Sequence, residues 1–132
     1  YLGDSVEGKD VFVADDIIAS GDSILDLAHN LKRRKAKRGF AGATFAFFTS
    51  GLEAFDKAYA EGVIDHVFAT NLTYTPKEVL ERPWFSQADM SKYMAFVIAT
   101  LNHDQSLSYL LNPWNRIEKL LTKYRADHPV ED

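Results

Sequence analysis

The sequence contains no cysteine, which excludes disulfides and thiolate metal sites and fits a reducing, cytoplasmic setting. No apolar run approaches the ~18 residues a membrane span needs, and no signal-peptide pattern opens the chain. Basic residues are outnumbered: 15 Lys and Arg stand against 19 Asp and Glu, a net charge of −4. That acidic balance argues against general nucleic-acid binding. Internal repeats, low-complexity tracts and long linkers are missing as well. What remains is 132 residues, 46% hydrophobic and 26% charged, ordinary globular material sufficient for one domain.

The stretch on which the chain is organised is VFVADDIIASGDSILD, residues 11–26. Residues 11–14 are uncharged and rich in β-branched and aromatic side chains, which predicts a strand buried on both faces of a parallel sheet. Asp15 and Asp16 follow at its carboxyl end, where open α/β sheets bind ligands. Carboxylates there can accept hydrogen bonds from vicinal sugar hydroxyls or hold a metal through water. Ala19, Ser20, Gly21, Asp22 and Ser23 form a small-residue turn whose N–H groups converge on an anion at a helix N-terminus. Gly21 supplies the freedom for a positive φ. Ser23 with Asp26 has the form of a capping box, and the Ser20 and Ser23 hydroxyls are further donors to phosphate oxygens. The stretch thus reads as a site for a phosphorylated ribose. It reads equally as a plain strand, turn and capped helix, because short glycine motifs are weak signals.

The remaining chain follows an alternating strand and helix pattern. Residues 1–9 are a polar lead-in with a turn at Glu7-Gly8-Lys9. A helix is predicted over 23–37, with Ile24, Leu27, Ala28 and Leu31 facing the sheet. The basic run 32–38 at its end complements the helix dipole as a solvated face, and Gly39 is expected to close it. Residues 43–49 read as a second buried strand with Phe45, Phe47 and Phe48 in the core. Ser50 and Glu53 suggest a capped helix to about residue 61, its inner face made by Leu52, Phe55, Ala58 and Tyr59, and ended by Gly62. A third strand is predicted over 64–70. Thr70, Asn71 and Thr73 then stand at the same sheet edge, either as ligand contacts or as satisfied loop polars. His66 has no second ligand at metal-site spacing and reads as exposed or hydrogen-bonded. Beyond a short helix over 76–81, Pro83-Trp84-Phe85 are expected to pack, with adenine stacking as an alternative. A helix from Asp89 or Ser91 carries Met94, Val97, Ile98 and Leu101 at helical spacing toward the sheet. Trp114, Ile117, Leu120, Leu121 and Tyr124 predict a last amphipathic helix that packs on its own domain or on another subunit. The β-α-β-α-β order predicts an α/β fold, an open parallel sheet with flanking helices and right-handed crossovers.

ADDIIASGDS resembles the phosphoribosyl-diphosphate (PRPP) motif of type I phosphoribosyltransferases, in which two acidic residues precede Asp-Thr-Gly-Gly-Thr or a close variant. YLGDSVEGKDVFVADD, FATNLTY and DMSKYMAFVIATLNHDQSLSYLL resemble the C-terminal half of the ribose-phosphate pyrophosphokinases, the PRPP synthetases. The resemblance covers residues 1–112 and leaves 113–132 as a C-terminal helical extension. It implies part of a phosphoribosyltransferase-like three-layer αβα domain. It also implies transfer of diphosphate from ATP to ribose 5-phosphate, with Mg2+, in a cytoplasmic homo-oligomer. Asp15 and Asp16 would hold the ribose hydroxyls, with a metal role as a weaker option, and residues 19–23 the 5′-phosphate. No catalytic residue is expected in this stretch. ATP binding would fall to segments outside this chain, which alone is expected to be inactive.

Two departures stand out: Ala19 replaces the Asp that opens the family's phosphate loop, and Asp22 replaces a usual Gly. They leave open a non-catalytic homologue with a regulatory or binding role; a phosphoribosyltransferase using PRPP is the other alternative. Because the chain starts at Tyr1 and reaches a strand soon after, it reads as a fragment. An unpaired sheet edge is then expected, covered by the N-terminal part or by partner chains.

Overall fold

The computed structural model describes residues 4–129. Four strands, β1 (Asp10–Ile18), β2 (Arg38–Ala46), β3 (His66–Thr70) and β4 (Phe85–Ala88), form one parallel sheet in the order β1-β2-β3-β4. Helices α1 (Asp22–Arg33), α2 (Glu53–Ala60) and α3 (Lys77–Leu80) make the crossovers. α/β architecture and a parallel sheet with flanking helices are therefore what the alternating pattern predicted. Every crossover steps in the same direction, so right-handed connections bring these helices to one face. The core lies there: Ile24, Leu25 and Ala28 of α1 and Phe55 and Ala58 of α2 pack on Ala41, Ala43, Val67 and Ala69 of the sheet. A smaller cluster joins Val6, Leu31 and Ala36, so the lead-in is anchored and not merely connecting.

Several boundaries differ from expectation. β1 runs through Asp15 and Asp16 to Ile18, and burial on both faces is not found: Phe12 is 59% exposed and only Ile18, at 1%, is buried. The reason is its place at the sheet edge, where β2 is its one neighbouring strand among the described residues. β2 starts at Arg38 and stops before Phe47, so Gly39 lies inside the strand. α1 instead ends through Lys35 at φ 61°, with Ala36 N–H donating to Leu31 C=O (3.1 Å) and Lys35 N–H to Lys32 C=O (2.9 Å). That is a Schellman ending with lysine in the left-handed position, its hydrophobic contact made by Leu31 and Ala36. Gly62, at φ 64°, ends α2 in the same way, as its position predicted. Of the three phenylalanines expected in the core near residue 47, Phe48 is buried, Phe45 is half-buried and Phe47 is exposed.

β4 had no sequence prediction: four residues with two polar positions carry too little alternation. The basic run resolves into helix-end cations, the turn at Lys35 with an ion pair to Glu7 (3.0 Å), and Arg38 hydrogen-bonded to Asp10. It is a solvated face.

The chain divides into two compact units, Tyr1–Met90 and Ser91–Asp132. The second contains α4 (Ser91–Asn102), α5 (Ser108–Leu111) and α6 (Trp114–Asp127). Leu110 is buried, and Tyr93 Oη donates to Leu110 C=O at 3.3 Å. Among the described residues no helix is long and apolar enough to cross a membrane.

Candidate functional site

The sequence places Asp15 and Asp16 in the carboxyl half of β1, not beyond its end, in register with β2 through Asp15 and Ala43. Asp15 Oδ1 accepts from the Asp16 N–H at 2.8 Å. Both carboxylates are exposed. Among the described residues no group of three or more His, Cys, Asp or Glu forms a metal cluster.

After Ile18 the chain turns through Ala19 and Ser20 to Gly21, which is the N-cap of α1 at φ 95°, ψ −4°. The glycine is required twice over. Its φ lies in the left-handed region, and a Cβ built there would stand 2.2 Å from Phe55 Cε2 and 2.5 Å from Phe55 Cζ. Two backbone bonds brace the turn from the segment after β2: Phe47 N–H donates to Ile18 C=O (2.8 Å) and Thr49 N–H to Ala19 C=O (2.9 Å). Thr49 thus supports the turn from the same edge of the sheet.

The expected capping boxes are not formed. Asp22 and Ser23 lie in the first turn of α1, and no side chain caps that helix. α2 has Leu52 as its N-cap, also without a side-chain cap, so Ser50 is a turn residue. In both cases the helix begins one residue after a non-hydroxyl cap, which places the serine out of reach of the N3 amide. For α1 the consequence is an N-terminus whose dipole and later first-turn N–H groups, those of Ser23 and Ile24, have no side-chain cap. Ser20 is engaged locally instead: its hydroxyl donates to Asp22 Oδ2 at 2.8 Å, and Asp22 N–H approaches Ser20 Oγ at 3.4 Å.

The other edge residues are internally satisfied. Thr70 Oγ1 donates to Thr44 C=O (2.6 Å) and accepts from Leu72 N–H (3.2 Å). Asn71 Nδ2 donates to Asp89 Oδ1 and its Oδ1 accepts from Met90 N–H, both at 2.8 Å. Both are loop-holding polars. His66 Nε2 meets Ser86 Oγ at 2.8 Å and its ring lies against Phe68, the hydrogen-bonded role expected of it. Trp84 is fully buried, stacked on Phe55 at 5.3 Å, with Nε1–H donating to Asp56 Oδ1 at 2.8 Å, which removes it as an adenine platform. Phe55 is what sequence reasoning missed at the site. Helical spacing marks it as core, and nothing in the sequence places it against Gly21.

Residues 1–112 match the family model described as "Phosphoribosyl synthetase-associated domain". The chain is 36% identical over 111 residues to the ribose-phosphate pyrophosphokinase of Vibrio cholerae, covering 84% of this chain and 34% of that protein. It is 32% identical over 109 residues to human phosphoribosyl pyrophosphate synthase-associated protein 2, covering 83% and 28%. The chain spans about a third of the length of the curated relatives it matches. The crystal structure of phosphoribosylpyrophosphate synthetase from Mycobacterium smegmatis shares the fold, with a TM-score of 0.66 at 22% identity over 77% of this chain and 33% of that one. With four parallel strands, the strand-turn-helix at Gly21 and this coverage together, the chain belongs to the phosphoribosyl synthetase-associated domain family and is a relative of the ribose-phosphate pyrophosphokinases.

Proposed function

We propose that this chain is the ribose 5-phosphate-binding portion of a ribose-phosphate pyrophosphokinase. The observation that carries the reading is the braced left-handed turn at Gly21, which presents an uncapped helix N-terminus at the end of β1. There the N–H groups of residues 20–23 receive the 5′-phosphate, and Asp15 and Asp16 accept hydrogen bonds from the ribose hydroxyls. Holding both ends of the sugar fixes the anomeric oxygen for attack, which converts an encounter between two substrates into an oriented step. ATP, and donors to the transferring phosphoryl group, fall to segments outside this chain. Magnesium enters with the ATP phosphates, and Asp15 and Asp16 are the carboxylates that would reach it through water. A cytoplasmic homo-oligomer, completed by contact with an N-terminal part, is the assembly we propose for the active enzyme.

The test is calorimetric titration with ribose 5-phosphate of the full chain and of the Asp15→Ala, Asp16→Ala double variant. Saturable binding that the folded double variant loses is expected; equal binding by both would refute the assignment of the carboxylates. One observation favours a second reading, a non-catalytic homologue. Ser20, the expected phosphate donor, is turned onto Asp22, whose carboxylate stands at the anion end of α1, and Ala19 brings no polar group. An intact protein that binds ribose 5-phosphate only weakly and makes no PRPP from ATP would establish that reading.

A further inference from the structure

The phosphate loop holds at Gly21 a conformation that only glycine takes easily, and the hydrogen bonds around it leave the side of the turn beneath Gly21 to packing. The structure points to the Phe55 ring. Phe55 is fully buried, and its Cε2 and Cζ fill the space where a residue 21 side chain would begin. The ring is itself fixed: Phe48 meets it edge-on at 5.1 Å and Trp84 stacks on it at 5.3 Å. Trp84 is tied through Nε1–H to Asp56, whose other oxygen pairs with Arg82 at 3.2 Å. Phe48 lies in the left-handed region, φ 48°, inside the same turn whose amides brace Ile18 and Ala19.

We propose that Phe55 is a positioning residue for the 19–23 loop, setting the Gly21 turn from beneath so that the loop amides converge before ligand arrives. This rests on the ribose-phosphate reading above. Packing of this density transmits changes of a single methylene. The ring therefore acts on the loop through shape, without touching ligand. A smaller side chain leaves the turn free to relax and the amides unaligned.

The test is a double-mutant cycle on the full chain with Gly21→Ala, Phe55→Leu and the pair, read both in thermal unfolding and in ribose 5-phosphate affinity. Residues in direct contact are expected to be non-additive. Gly21→Ala should cost less in the Phe55→Leu background, because the ring that meets the new Cβ is gone. Phe55→Leu should weaken ribose 5-phosphate at least tenfold, whereas Val67→Ala, a truncation in the same core, should lower the melting temperature and leave affinity unchanged. If Phe55→Leu does not fold, Phe55→Met takes its place in the cycle.

Additive unfolding costs, or an affinity that follows melting temperature equally at positions 55 and 67, would overturn the proposal. Absence of binding by the unmodified chain would instead refute the ribose-phosphate reading. In that event the unfolding cycle still decides whether Phe55 sets the turn.

Discussion

Replacing Asp22 by Asn separates the charge at the loop from its hydrogen bonding. Asp22 is exposed in the first turn of α1 and accepts from Ser20 Oγ at 2.8 Å, and an asparagine oxygen preserves that acceptor. At ~4 Å in a water-like medium, one unit charge repels another by about 1 kcal/mol. A phosphate carrying about −1.5 to −2 at pH 7 raises the penalty to roughly 1.5–2 kcal/mol. Asp22→Asn is therefore expected to tighten ribose 5-phosphate by roughly 10- to 30-fold.

The same carboxylate stabilises the positive end of α1 by about 0.3–1 kcal/mol, so the melting temperature should fall while affinity rises. Calorimetric titration and thermal unfolding of both proteins read the two effects. The affinity gain should shrink at 1 M salt, where the Debye length is about 3 Å. Unchanged or weaker binding by Asp22→Asn, with the melting temperature lowered as expected, would show that the phosphate does not sit at this helix end.

Two further outcomes follow from features away from the site. Lys35 occupies the left-handed position that ends α1, so Lys35→Gly should stabilise the chain by about 1 kcal/mol. The loss of an exposed ion pair to Glu7 offsets little of that gain, and thermal unfolding measures the sum. The carboxyl of Asp10 is held below its usual range, chiefly by its hydrogen bond from Arg38. Its contribution to stability is thus present above the unfolded-state pKa and lost as pH falls through the lower, folded-state pKa. In Arg38→Met, an NMR titration of Asp10 should return to ordinary carboxylate values, and acid unfolding should lose that component.

The strand-turn-helix around Gly21 was legible because glycine, small residues and an apolar run occupy adjacent positions with distinct physical demands. The Gly62 ending of α2 was legible for the same reason. The caps were not. Ser23 and Ser50 carry the right side chains, but their helices start at Asp22 and Glu53, a shift of one residue or more that tertiary bracing imposes and local pattern does not record. Gly39 misled because Lys35 bears the strain glycine would relieve, stabilised by the Leu31 and Ala36 contact. The exposure of Phe12 follows from strand order, and the Phe55 contact with Gly21 joins residues from two helices. Neither is visible in any window of sequence.

The strand order has a consequence for how the chain reaches its structure. Each strand pairs with the one made just before it, and the side-chain bonds that tie successive segments span 28 residues from Asp10 to Arg38, 26 from Thr44 to Thr70 and 18 from Asn71 to Asp89. Among the described residues no pairing waits for a distant segment, so the loops closed within them stay short for a parallel sheet. On a ribosome that synthesises from the N-terminus, β1, α1 and β2 can assemble while β4 is still unmade. The Gly21 turn is bounded by β1 and α1 and braced by residues 47–49, so its backbone bonds can form early, ahead of the Phe55 ring and Trp84 that pack beneath it. The last strand to be made then brings Trp84 onto Phe55 and completes the packing under the loop.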